Sequence, residues 1–177
     1  MNIQITSVRE KDYQKVYSFQ CEYLDVESYD EFLNRIQENP DLYIYAYDEE
    51  ELVGICYGKP SVKIESAISL QGIAVSLNES KGYARKGIGS ALISNFENSV
   101  LMKGFKKISV GAADDLKVEN FYLKNGFNPI ELVAKGPHSE EYERVKVSNY
   151  ESGKKIQMEL RRKHQPREVI FIFEKII

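Results

Sequence analysis

Apolar and polar positions alternate over residues 3–8, the period of two expected of a strand with one buried face. Ser7-Val8-Arg9-Glu10 then has the spacing of a capping box, and Tyr13, Val16, Tyr17, Cys21 and Leu24 recur along one helical face. A second box, Ser28-Tyr29-Asp30-Glu31, opens a helix with Tyr29, Phe32, Leu33 and Ile36 on one side, and Asn39-Pro40 closes it. Residues 42–47 and 52–57 read as strands joined by the acidic turn Asp48-Glu49-Glu50-Glu51, and Lys59-Pro60-Ser61 breaks the chain. Residues 67–75 form a longer strand that runs into a glycine-spaced loop. The helix after that loop buries Leu92, Ile93, Phe96 and Val100 and stops at Gly104.

Beyond it, a short strand (108–112) leads to a helix (115–124) ended by Asn125-Gly126, a suitable left-handed cap. A strand at 129–133 follows. Segment 136–167 holds a short strand (144–147) and a basic helix (149–164), and the apolar run 169–173 is a strand buried on both faces. The order β-α-α-β-β-β-α-β-α-β, an extra segment and a last β predicts an α/β protein of the α+β type. Its central sheet is expected to be mixed and mostly antiparallel, with helices on both faces. Residues 1–177 are expected to form one domain, with 136–167 as an addition before the last strand.

The chemistry concentrates in Tyr83-Ala84-Arg85-Lys86-Gly87-Ile88-Gly89-Ser90-Ala91-Leu92. Gly87 and Gly89 let backbone approach a ligand closely, and the following helix points free N–H groups and its positive dipole end at the same spot. That arrangement suits a diphosphate. Together with Gln71-Gly72-Ile73-Ala74-Val75 and Asn120-Phe121-Tyr122-Leu123-Lys124-Asn125-Gly126-Phe127, the loop resembles the GNAT superfamily of N-acetyltransferases over most of residues 1–135 and the last strand. The resemblance implies the acyl-CoA N-acyltransferase fold, with acetyl-CoA as co-substrate. The strand ending at Ile73 and Val75 would pair with the pantetheine arm as an added strand does. The diphosphate would lie on the N–H groups of Arg85, Lys86, Gly87, Ile88, Gly89 and Ser90. Tyr122 would protonate the departing CoA thiolate, a reasonable exchange between a phenol of pKa about 10 and a thiol of about 8.5. Asp115 and Asn120 stand near the family's asparagine that touches the CoA arm. One position departs: where the family pattern has Arg or Gln three residues before the first glycine, this chain has Ala84, with Arg85 next to it.

Charge bears on the acceptor. Residues 22–51 hold eleven carboxylates and one base, Arg35, whereas 144–167 hold eight bases and two acids. The resemblance places the acceptor entrance between the first two helices, here residues 21–27 with Glu22 and Tyr23, and Gln71 on the strand before the glycine loop is a further candidate. Acid beside aromatic suits an ammonium group, so a small cationic amine is the expected acceptor. The alternatives are a non-catalytic acetyl-CoA sensor and an acetyltransferase of protein N-termini or lysines. The base stays open among Glu22, Glu65 and a water chain. Segment 136–167 could cover the acceptor cleft, form a homodimer contact, or be a solvated decoration.

The rest of the composition narrows the field. A net charge of −3 argues against a general nucleic-acid binder. No apolar run nears the ~20 residues that span a bilayer, so no membrane partner is expected. The two histidines, His138 and His164, lie far apart, which argues against a metal site. The first residues do not read as a signal peptide, so a cytoplasmic protein with Cys21 and Cys56 reduced is expected.

Overall fold

The computed structural model describes residues 2–177. Backbone contacts divide the chain into two units, one running to Lys106 and including Ile177, the other Lys107–Ile176.

The first unit holds β1 (Ile3–Ser7), α1 (Tyr13–Tyr23), α2 (Tyr29–Glu38), β2 (Tyr43–Asp48), β3 (Glu51–Pro60), β4 (Ala67–Val75) and α3 (Ile88–Met102). Its strands pair antiparallel in chain order, β1 with β2, β2 with β3 and β3 with β4. Successive side chains on a strand point to opposite faces, and that sets the layers. On one face Tyr43, Tyr45, Ile55 and Tyr57 join Val16, Phe19, Phe32 and Ile36 in the core that α1 and α2 cover. On the other face, a Cβ at Gly58 would meet Phe96 Cζ at 2.7 Å, and one at Gly54 would meet Leu92 Cδ1 at 3.0 Å, so α3 lies close against β3. Ser28 caps α2 as expected, with both halves of the box formed: the Ser28 hydroxyl accepts from Glu31 N, and Glu31 Oε2 accepts from Ser28 N.

Two expectations fail here. No capping box forms at Ser7: Val8 N donates to Tyr43 O at 2.9 Å, which keeps the chain extended through Arg9. A 3-10 turn, Glu10–Asp12, then leads into α1. The strand that was to break at Lys59 continues as β3 to Pro60, which pairs with Ile68. A proline at the end of a strand gives up little, because its missing N–H falls where the ladder stops.

The second unit holds β5 (Lys107–Gly111), α4 (Leu116–Lys124), β6 (Asn128–Lys135), β7 (Glu141–Lys146), α5 (Tyr150–His164) and β8 (Glu168–Ile176), with strand order β5-β8-β6-β7 and every pair antiparallel. Tyr122 of α4 packs on Phe173 and Tyr150 of α5 on Phe171, two residues apart on one face of β8. Gly153 lets α5 approach that face, since a Cβ there would lie 2.6 Å from the Phe171 ring. The carboxylate of Glu119 on α4, 1 % exposed, accepts from Tyr150 Oη at 2.5 Å, Lys154 Nζ at 2.9 Å and Gln157 Nε2 at 3.3 Å. Asp114 accepts from Arg161 and from Val169 N. Within segment 136–167, α5 is therefore packed into its unit, while β7 is largely exposed.

Candidate active site

In the first unit the sequence builds an open helix N-terminus. The chain leaves β4 at Val75, turns at Asn78, whose carbonyl accepts from Lys81 N and Gly82 N, and passes through three positive-φ residues: Gly82 (64°), Arg85 (60°) and Gly87 (82°). Gly87 is the N-cap of α3 and has no side chain to cap with; its carbonyl accepts from Ala91 N at 2.9 Å. The N–H groups of Ile88, Gly89 and Ser90 have no preceding turn to receive them. A Cβ at Gly87 would meet nothing within 4 Å, so the approach is unobstructed. Arg85 and Lys86 are exposed beside it, and Ala84 is exposed as well. Ile88, by contrast, is 3 % exposed and plugs its side chain into the core, so only its N–H is left to the open end of the helix. The half of β4 nearest the loop, Gly72 to Val75 with Ile73 between, is partly open, while Ala67, Ile68 and Leu70 before it are buried.

The expected acceptor residues fall in two different places. Glu22 and Tyr23 line a cleft of about 550 Å³ with Phe19, Glu51, Ser76 and Asn78. Gln71 lines another of about 350 Å³ with Asp25, Glu27, Glu31, Arg35 and Tyr57. The second is the more organised. Glu27, in the link between α1 and α2, is held by Gln20 and by an ion pair with Arg35. The Arg35 guanidinium sits 5.6 Å above the Tyr57 ring, and Tyr17 Oη donates to Glu27 O at 2.7 Å. Asp25 and Glu31 add negative charge at the rim, and Ser28 N–H holds the Glu31 carboxyl below the usual carboxylate range. Asp25 and Glu27 come from the expected entrance segment 21–27, whereas Arg35 and Tyr57 were not expected to line the cleft. The available signal was Arg35 itself, a single base within eleven carboxylates. Glu65 is exposed on the turn before β4.

In the second unit Tyr122 is 5 % exposed, ringed by Phe121 and Phe127 at 5.4 Å and Phe173 at 5.8 Å. Asp115 is the N-cap of α4 and accepts from Lys117 N at 2.7 Å and Val118 N at 3.2 Å, so its carboxylate already has a structural task. Asn120 is exposed on the same helix. Among the described residues, no group of three or more His, Cys, Asp or Glu could hold a metal ion, and no helix is long and apolar enough to cross a membrane.

A family model described as Acetyltransferase (GNAT) family matches residues 4–127. The chain belongs to this family. Acetyl-CoA follows as the co-substrate of the acetyltransferase. The matched span takes in the glycine loop and the Phe121 to Phe127 motif and stops before α5. Solved structures with the same fold include Ard1 from Thermoplasma volcanium, at 18 % identity and a TM-score of 0.69, covering 100 % of this chain and 99 % of that one. Arabidopsis thaliana Naa50, solved with the bisubstrate analogue CoA-Ac-MVNAL, is 16 % identical with a TM-score of 0.67, and the match covers 100 % of both chains. The diaminobutyrate acetyltransferase EctA from Paenibacillus lautus, solved with L-2,4-diaminobutyric acid and coenzyme A, is 13 % identical with a TM-score of 0.65, covering 97 % of this chain and 94 % of that one. No curated protein matches the acetyltransferase by sequence.

Proposed function

We propose that this acetyltransferase transfers the acetyl group of acetyl-CoA to a primary amine of a small cationic molecule by direct attack. The amine nitrogen attacks the thioester carbonyl, the new C–N bond forms, the C–S bond breaks, and the CoA thiolate leaves with a proton donated by Tyr122 Oη. The amine's own proton passes to solvent, from which Tyr122 recovers the proton it gave. The observation that carries the donor half is the uncapped N-terminus of α3, where the N–H groups of Ile88, Gly89 and Ser90, the open space at Gly87 and the exposed Arg85 and Lys86 converge. Ile73 and Val75, half-buried at the loop end of β4, are the candidates for pairing with the pantetheine arm. Asn120 is a further candidate for that arm, and Asp115 is the weaker one, since its carboxylate caps α4.

The acceptor half rests on the cleft of about 350 Å³, a size for a small molecule, where three carboxylates outnumber the one guanidinium. Glu22 and Tyr23 line the neighbouring cleft, where a longer polyamine could rest its second charge. Burial pushes the Cys56 thiol up, which makes it a poor acyl carrier and favours direct attack.

The test is thiol release from acetyl-CoA across a panel of diamines, polyamines, aminoglycosides, neutral amines, acidic amino acids and short peptides. Turnover should be confined to the cationic small molecules. Turnover only of acidic or neutral amines would discard the acceptor reading, and turnover only of peptides would move the activity to protein termini. Tyr122→Phe, which keeps the ring packing on Phe127 and Phe173, should lower kcat about a hundredfold or more with KM for acetyl-CoA unchanged. CoA binding without turnover anywhere on the panel would point to a sensor.

A further inference from the structure

The glycine loop is tied down by a buried residue that lies outside the helix. Among residues 77–87 Tyr83 alone is buried, at 2 % exposure, while Lys81, Ala84, Arg85, Lys86 and Gly87 around it are exposed. Its hydroxyl lies 3.3 Å from Asp48 Oδ2 and 3.2 Å from Glu51 Oε2. Those two residues are the partners that close the β2–β3 hairpin, with Glu49 and Glu50 as the turn between them. Lys81 Nζ reaches the same Glu51 Oε2 at 3.0 Å. Asp48 is fixed in turn, since its Oδ1 accepts from Asn2 N at 2.7 Å. A phenol has one proton, so Tyr83 donates to one carboxylate at a time. Burial and the two carboxylates push its pKa up to about 12, and it stays a donor across the working range.

A cradle of N–H groups holds a diphosphate well only when it is already in shape. This loop contains three positive-φ residues, two of them glycines, and little in its own sequence fixes it. We infer that Tyr83, gripped by Asp48 and Glu51, is a positioning residue that sets the glycine loop at the height the acetyl-CoA diphosphate requires. This rests on the reading of the loop as the diphosphate site. It also gives the acidic hairpin turn a task other than attracting the acceptor.

The experiment compares two acetyl donors: acetyl-CoA, and S-acetyl-pantetheine, which has the thioester and arm but no diphosphate. Each is assayed with the best amine of the panel, and CoA binding is titrated by calorimetry. Tyr83→Phe keeps the buried ring and removes the hydroxyl. It should raise the Kd for CoA and the KM for acetyl-CoA roughly three- to tenfold. It should leave kcat at saturating acetyl-CoA, and the KM for S-acetyl-pantetheine, unchanged. Asp48→Ala, which removes one of the phenol's two acceptors, should show the same split in smaller degree, and it decides the matter should Tyr83→Phe not fold. Unchanged CoA affinity in a folded variant overturns the inference, as does an equal loss with both donors, which would mean general damage. A wild type that uses both donors with one KM overturns the diphosphate reading itself, and the inference falls with it.

Discussion

Glycines at two positions differ in what they do for the molecule. Gly87 has φ 82° and open space where a Cβ would stand, whereas Gly58 would place a Cβ 2.5 Å from Ser69 O and 2.7 Å from Phe96. Gly87→Ala should cost about 1–2 kcal/mol of backbone strain and still fold, while its methyl stands in the ligand's approach and raises the KM for acetyl-CoA. Gly58→Ala should cost about 1–3 kcal/mol by overpacking, with no relief available from a backbone carbonyl, and should leave KM alone. Urea melts and donor kinetics on the two variants check this, and a KM change in Gly58→Ala instead of Gly87→Ala would refute it. Gly87 could be read in the sequence because its partners are its neighbours. The need for Gly58 could not, because Ser69 and Phe96 arrive from other elements. Ile88 is the intermediate case: its place in the loop was legible, but the turning of its side chain into the core was not.

Element α5 was visible in the sequence as a basic helix, but its role was not. Lys154 pairs with Glu119, Arg161 with Asp114, and Lys163 and His164 with Glu143. The positive run is thus largely neutralised within its own unit, by carboxylates that the sequence scatters over three other places. The Glu119 contact is the deepest of these. Glu119→Ala should destabilise the protein by about 2 kcal/mol, below the figure for a wholly buried pair because Lys154, 36 % exposed, can turn to water. Chemical denaturation with an unchanged m-value would measure it. A loss below about 0.5 kcal/mol would show that the cluster does not hold α5 to α4. Capping behaved unevenly at this scale. The Ser28 box formed as its residues suggest, and the Ser7 box did not, because Tyr43 O claims the N–H of Val8.

For the whole molecule, the order of elements and the family were both readable, since hydrophobic period and glycine spacing are local properties. The charge reading was less secure, because pairing is a property of the fold. Part of the acidic stretch is spent internally, with Glu27 on Arg35, Asp41 near Lys103, and Asp48 and Glu51 on Tyr83 and Lys81. These ties make stability depend on pH at both ends. Glu31, Glu140 and Glu143 are held below their ordinary value of 4.5, by Ser28 N–H, by backbone N–H groups, and by Lys163 with His164. The unfolded chain therefore binds these protons first, and the stability they supply is present above about pH 4.5 and lost as pH falls through the folded values. Burial raises Tyr47 and Tyr57, as it does Tyr83, to about 12 from an ordinary 10. Their stability is present below pH 10 and lost as pH rises toward 12. Thermal melts should be flat between roughly pH 5 and 9 and fall on both sides, and Glu143→Gln should shallow the acid limb. A Tm that rises below pH 4.5 would contradict these assignments.

The hairpin turn Glu49-Glu50 is exposed, charged and only two residues long, the sort of loop tip where a peptide epitope or a binding module is ordinarily grafted without harm. In this protein the residues on either side of it carry Tyr83 and Lys81. Lengthening the turn would move Asp48 and Glu51 apart and slacken the loop they hold. A graft there would leave the fold intact and register as a change in how much acetyl-CoA the enzyme needs, so grafting should be directed to other tips of the molecule.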